Sequence, residues 1–300
     1  MMPLALMKNK LARALATKRT LLTLRLLFLF VGSFATVFFP PTPGLLALLI
    51  GSFFLRTFGW EGGYHRYFAH RSFKTSRSFQ LVLACLGAMS GQRGPLWWAS
   101  VHREHHHYSD TDLDPHTPIG KGRLYAYLGW LYESKNGETN LEYVKDWLHF
   151  PELLWINRHH PVFPYVYLVT LFAVGQWTPL FGSDAGLAAV IWGFCLSTLL
   201  SIQGTHLVNA FAHSQQPSWF TYRSYQTDDH SRNHWLLCLI TLGASWHNNH
   251  HRFPVASRAG FKWWEIDITY LTLRVLSFIG LVWDLREVPD HVRIEAKFSK

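Results

Sequence analysis

The chain has 300 residues, of which 49% are apolar, 16% aromatic and 16% Asp, Glu, Lys or Arg. Soluble proteins carry roughly 25% charged residues, so this composition excludes an ordinary water-soluble domain and indicates surface in contact with lipid. The net charge of +9 would suit nucleic acid, but the cations gather beside apolar runs, which favours a membrane surface and no nucleic-acid partner.

Residues 1–20 are a basic segment, Lys8 to Arg19, expected to be helical at the membrane surface. The apolar run that follows is too long for a cleavable signal peptide. Residues 21–40 read as a first span with Arg25 near one end, and PPTPG turns the chain at 40–44. Residues 45–62 return as a second span, taking on Arg56 and Glu61 toward its end. Each run approaches the roughly 20 residues that a bilayer requires. Residues 78–98 are apolar but interrupted by Gly87, Gly91, Gly94 and Pro95, so a single interfacial helix is expected there. A polar stretch with an Asp/Pro/Gly loop at 109–122 leads to a second hairpin of spans, 162–180 and 186–210. The rest is mixed, with an amphipathic surface helix expected within 263–283.

The turns at 40–44 and 177–186 contain no Lys or Arg. By the positive-inside rule they lie outside, and both termini and the polar regions lie in the cytoplasm. The expected fold is therefore an all-α integral membrane protein, with four transmembrane helices in two hairpins and a cytosolic helical cap. Cys85, Cys195 and Cys238 are isolated, which argues against a disulfide framework or zinc ribbon.

The chain has 18 histidines, and their spacing carries the chemistry. His102, His105 and His106 (HREHHH) stand at i, i+3 and i+4, as do His247, His250 and His251 (HNNHH), so each triad shares one helix face. Asn209 and His213 (NAFAH) share a face at i, i+4. His65 and His70 (HRYFAH) are five apart and diverge on a regular helix, so they are expected to straddle a helix end. Neutral imidazole suits iron, copper, nickel or zinc, and nine imidazoles exceed what one ion can take, so two ions are implied. His107, His116, His149, His159, His160, His206, His230, His234 and His291 are expected to be ordinary histidines.

At these residues the chain resembles the membrane acyl-CoA desaturases, the stearoyl-CoA delta-9 desaturase family. GYHRYFAHRSFKTSR, SVHREHHHYSDTDLDPHTP and SRNHWLLCLITLGASWHNNHHRFP look like its three histidine boxes, with NAFAH as its extra Asn/His pair. The likeness covers about residues 45–285 and implies a desaturase domain over 21–300. It implies two Fe ions held by His65, His70, His102, His105, His106, His213, His247, His250 and His251, with Asn209 acting through a water. It also implies O2 as co-substrate, an acyl-CoA or acyl-lipid substrate, and introduction of a cis double bond at delta-9. No HPGG haem motif occurs, so an external donor, ferredoxin or cytochrome b5-like, is expected to supply electrons. Leu49 and Phe53, sixteen and twelve residues before His65, are expected at the floor of the acyl tunnel. One departure stands out: where the family has Gly-Glu-Gly-Trp, this chain has Gly243, Ala244, Ser245 and Trp246.

Two rival readings remain. A histidine-box hydroxylase or ketolase would insert oxygen instead of forming C=C. A membrane metal transporter would place ionisable groups within its spans, whereas these histidines lie at span ends.

Overall fold

The computed structural model describes residues 4–183 and 185–298, with side chains from 19 to 295 apart from position 184. Helix α1 (Leu4–Phe34) ends in a 3-10 turn, Ala35–Phe38. The side chains of its basic first turns lie outside the described residues. Thr42 caps helix α2 (Pro43–Phe58) by accepting the Leu45 N–H at 3.2 Å, and Pro43 fits the first turn, where no N–H is needed. α2 continues without a break into a π-helix, Gly59–Ala69. The joined element of 27 residues exceeds the roughly 30 Å of hydrocarbon at about 1.5 Å per residue, so its end projects past the bilayer.

Two helices, α3 (Arg77–Met89) and α4 (Pro95–Tyr108), replace the single helix expected over 78–98. Gly91 (φ +77°) and Arg93 (φ +65°) take left-handed conformations between them, and Pro95 can only begin a new helix. Short α5 (Arg123–Tyr127) and α6 (Pro151–His159) lead to α7 (Val162–Trp177). Then α8 (Gly186–Val190), a π-helix (Ile191–Leu196) and α9 (Ser197–Phe211) form one continuous rod. α7 packs antiparallel on it so closely that a Cβ on Gly175 would stand 2.6 Å from the Ala189 Cβ, while Gly193 lies against Leu171.

Among the described residues, three helical stretches are long and apolar enough to cross a membrane: Arg19–Phe38, Pro43–Ala69 and Gly186–Phe211. Of the four expected spans, α7 is the one that falls short. Its 16 residues reach about 24 Å.

Beyond the spans, small elements tie the chain ends to the centre. Strand β1 (Lys74–Thr75) pairs with β4 (Val282–Trp283), and β2 (Thr221–Tyr222) pairs with β3 (Asn233–His234). α10 (His247–Arg252), α11 (Ile268–Phe278) and α12 (Asp290–Phe298) complete the described chain. α11 is the amphipathic helix expected within 263–283, started by the Asp267 cap on Tyr270 N–H (2.9 Å) and stopped before Gly280 (φ +76°). The main core, with Tyr64, Phe68, Leu83, Leu96 and Trp147 at its centre, joins the π-helix to α3, α4 and α6.

Arg56 is fully buried inside the bundle. It donates to Ser52 O (3.2 Å), to Gly193 O (3.0 Å) and to the Ser197 and Thr198 hydroxyls, and lies 4.9 Å from the Tyr167 ring centre. The π-helix at 191–196 weakens the regular carbonyl pairing of its rod, and the guanidinium supplies donors there. Arg56→Met removes these four bonds at about 1 kcal/mol each, so the melting temperature in detergent is expected to fall by roughly 8–16 °C. An unchanged melting temperature would show that the rod does not depend on this side chain.

Candidate metal centre

Four chain segments deliver imidazoles to one place. α4 presents His102, His105 and His106 on one face, α10 presents His247, His250 and His251, and the end of α9 delivers His213. His65 lies within the π-helix and His70 is the residue that caps its end, so the pair straddles a helix end as expected. The π-helix closes an i→i+5 bond, His70 N–H to His65 O at 3.1 Å, which puts residues five apart on one side and brings the two rings edge to face with centres 4.9 Å apart.

Two groups result. His65, His70, His102 and His250 form one, and His105, His213, His247 and His251 the other, with the ligating atoms of each within 4.8 Å of one another. His106 bridges toward the first, its Nε2 at 3.1 Å from His102 Nε2 and 2.9 Å from His250 Nε2. The contacts His65–His250 (3.0 Å), His70–His102 (2.8 Å), His213–His247 (2.9 Å) and His247–His251 (3.0 Å) are also between Nε2 atoms. Nitrogens sharing a metal at about 2.1 Å stand about 3.0–3.4 Å apart, so this spacing fits a common ion.

Carboxylates fix the tautomers. His65 Nδ1 meets Glu61 (2.7 Å), His105 meets Asp114 (2.9 Å), His213 meets Asp110 (2.8 Å) and His251 meets Asp229 (2.5 Å). Each carboxylate accepts an Nδ1–H, which leaves the lone pair on Nε2. His105 Nε2 and His251 Nε2 then face each other at 3.4 Å as two acceptors. Such a pair repels unless a cation lies between them, so the donor set fits a bound metal.

The electrostatics agree. Burial, reinforced by neighbouring imidazoles, holds His70, His102, His106, His247 and His250 well below the usual histidine range. These rings stay neutral, as ligands must be. Burial also pulls His251 down, to about 4, against the pull of Asp229. Burial would push Asp110, Asp114 and Asp229 up, but their histidine partners outweigh it and hold all three below the usual carboxylate range. His213 is the exception: burial would lower it, but the Asp110 carboxylate at its Nδ1 raises it above the usual histidine range. Three anions with Glu61 thus back the imidazole cluster, a field that favours cations.

The surroundings hold this frame rigid. Arg66 donates to Glu61 (2.9 Å) and to Asp267 (3.0 Å). On α10 the intervening asparagines turn away from the metals: Asn248 accepts Ser224 and Tyr225 N–H, and Asn249 donates to Glu265 at 2.7 Å.

The structure corrects one reading and adds several residues. His116, expected to be ordinary, is buried with its ring 4.4 Å from His105, and with Asp114 and His105 it forms a third group able to hold an ion. Burial holds it near pKa 3. His107 is exposed, as expected. The four carboxylates were not singled out from sequence as metal support. Glu61 precedes His65 by one helical turn, a spacing that could have exposed it, but Asp229 is reached only through the tertiary fold.

A narrow void of about 30 Å³, room for about one water, lies against both groups, walled by Trp60, Trp98, His116, Asn209 and Ala244 among others. A larger cavity of about 110 Å³ shares Trp98, His102, His116, Thr205 and Asn209 with it and extends along Leu22, Leu26, Val101 and Ile202. Asn209 thus faces the space beside the metals, and Ala244 stands where a longer side chain would enter it. Leu49 and Phe53 line neither space. Phe53 packs on the main core and Leu49 on the Leu45–Trp192 cluster. Trp60 walls the void, its indole sharing the Ser201 hydroxyl with Thr57, and Phe53 lies about two helical turns further back along the same helix.

The fatty acid desaturase family model matches residues 39–276. The chain is 36% identical over 84% of its length to the hex-5-enoyl-[acyl-carrier protein] acetylenase of Moorena producens, covering 79% of that protein. It is 35% identical over 78% of its length to an acyl-CoA C20 Delta5-desaturase of Anemone leveillei, covering 71% of it. With the sn-1 stearoyl-lipid 9-desaturase of Anabaena variabilis it shares 32% identity over 75% of its length, covering 77% of that protein.

Asp229→Asn and Asp114→Asn are each expected to weaken metal binding roughly 10–100-fold, read by competition with a chelator, while helix content stays constant. Asp228→Asn, exposed and one residue away, should change nothing. Unaltered affinity in both carboxylate variants would remove these groups from the support of the metals.

Proposed function

The chain belongs to the fatty acid desaturase family and is an oxidoreductase, and on that premise we propose that it introduces a cis double bond, at delta-9, into a saturated acyl chain carried by CoA or by a lipid. The reaction consumes O2, two electrons and two protons, converts –CH2–CH2– into –CH=CH– and releases two waters. The observation that carries this reading is an apolar cavity ending at two groups of convergent imidazoles.

The nine histidines, with Asn209 acting through a water, are proposed to hold two Fe ions, which when bound supply the redox chemistry with O2 that an unactivated C–H bond requires. The protein's own residues do the rest. The Trp98 indole stacks on His102 (4.9 Å) and donates to Gln92 (3.3 Å), which also accepts from Thr205 at 3.1 Å. This fixed wall orients the acyl chain beside the metals and excludes water. The buried carboxylates keep each Nδ1 proton in place. A chain long enough to pass Trp60 must displace the Thr57–Ser201–Trp60 contacts, so Phe53 and Leu49 are the proposed far limit of the tunnel.

The reading also includes four spans, with both termini and the metals on the cytoplasmic side. The cation-free turns at 40–44 and 177–186 support that orientation. An external ferredoxin or cytochrome b5-like donor is part of the same proposal.

Expression in a desaturase-deficient host, with double bonds located by mass spectrometry, tests it. Wild type should restore a delta-9 monoene, His250→Ala should give none, and His159→Ala should match wild type. A hydroxylated or keto product would favour the rival enzyme class. Ala244→Glu is expected to retain iron and alter the rate, because position 244 borders the void without contributing a ligand. Loss of iron in that variant would show a site geometry different from that of the family.

A further inference from the structure

The cavity beside the metals and a groove on the apolar outer surface meet at one side chain. The groove is lined by Leu21, Leu24, Arg25 and Phe28 of α1 and by Pro164 and Tyr165 of α7. Arg25 is also a wall of the metal-side cavity. On α9, Thr198 borders the groove and Ile202 the cavity, one helical turn apart. The Arg25 guanidinium crosses this junction and donates to Gly91 O at 2.6 Å. Gly91 is suited to that contact twice over: it is left-handed, and a Cβ there would collide with Arg25 Nη2. Leu21, Leu24 and Tyr165 are 61%, 55% and 66% exposed, on helices whose apolar flanks have no other cover than lipid.

The charges at the junction lack counter-ions. Arg93, also on the cavity wall, donates to Asn136 O and Gly137 O and lies 4.3 Å from the Trp97 ring centre. Among the described residues, the hydrogen bonds of Arg25 and Arg93 go to the backbone carbonyls of Gly91, Asn136 and Gly137, and no ion pair is formed by either. Arg25 lies six residues into the span that begins at Arg19, about 9 Å along the helix, a depth from which a long cationic side chain reaches the ester and headgroup oxygens at the interface. Cations at that depth meet glycerol ester and headgroup oxygens.

We propose that the acyl chain reaches the metals sideways from the bilayer, through the α1–α7 groove, while still esterified to a membrane glycerolipid. The Arg25–Gly91 contact is the latch that separates groove from cavity, and Arg25 and Arg93 receive the ester and headgroup oxygens. This inference rests on the desaturase reading and names its substrate class. A water-borne carrier such as CoA has no need of an opening on the lipid-facing side.

The test uses the full, iron-loaded chain with a reducing partner in phosphatidylcholine vesicles. Isotope-labelled stearate is supplied either esterified in that lipid or as stearoyl-CoA. The lipid-bound chain should be desaturated at least about tenfold faster. Leu21→Trp combined with Leu24→Trp fills the groove from exposed positions. It should lower the lipid-bound rate by about tenfold or more with unchanged iron content. Phe34→Trp, exposed on the same helix but outside the groove, should be silent. A wild-type chain that desaturates only stearoyl-CoA, or a filled groove that leaves the lipid-bound rate intact, overturns the lateral route while the desaturase reading stands. Activity on neither substrate, with iron bound, overturns both.

Discussion

The structure depends on one constraint: nine imidazoles are buried in one volume with their Nε2 atoms about a ligand-shell edge apart. Left alone, such a cluster is unfavourable, because buried polar atoms need partners and lone pairs repel. The protein resolves the outer half of the problem with carboxylates. Glu61, Asp110, Asp114 and Asp229 each take the Nδ1 side of one ring, which commits the inner nitrogen to accept. The inner half is then satisfiable only by cations. The metals in this account are therefore part of the fold as much as of the chemistry.

That constraint explains the architecture around it. The second and last long helices run past the membrane so that their ends can carry His65 and His213 to the cluster. The second long helix ends as a π-helix over 59–69, because five-residue spacing brings two rings together only when the backbone closes i→i+5 bonds. β1–β4 and β2–β3 are two residues per strand and too small to form a core. Their role is positional: they clamp the C-terminal segment and the 212–246 loop against the boxes. The aromatic core between the π-helix, α3, α4 and α6 makes this cap rigid, and rigidity is what holds ligands to within tenths of an ångström.

Much of this was legible in the chain. The two HxxHH triads predict a shared helix face from period alone, and both lie on helices. The apolar runs located the long helices within a few residues, because lipid demands uninterrupted hydrophobicity. What escaped depended on non-local contact or local irregularity. His65 and His70 seemed to diverge because regular helical geometry was assumed. His116 looked ordinary because its burial against His105 follows from the fold of the 109–122 loop. The single helix expected over 78–98 became two, although Gly91, Gly94 and Pro95 were visible, because periodicity ran through them. α7 reads as a span from its composition, yet its regular helix has 16 residues where the other three stretches have 20 to 27. The cavity walls come from α1, α4 and α9 together, and no sequence pattern encodes such a meeting.

The central claim is that the two imidazole groups each hold one iron. Iron quantification combined with Fe K-edge absorption on protein loaded anaerobically tests it most directly. The account predicts close to two irons per chain in a nitrogen-dominated shell with imidazole scattering, falling when His250 or His247 is replaced by Ala. A single zinc per active chain, or irons held mainly by carboxylate oxygens, would contradict it.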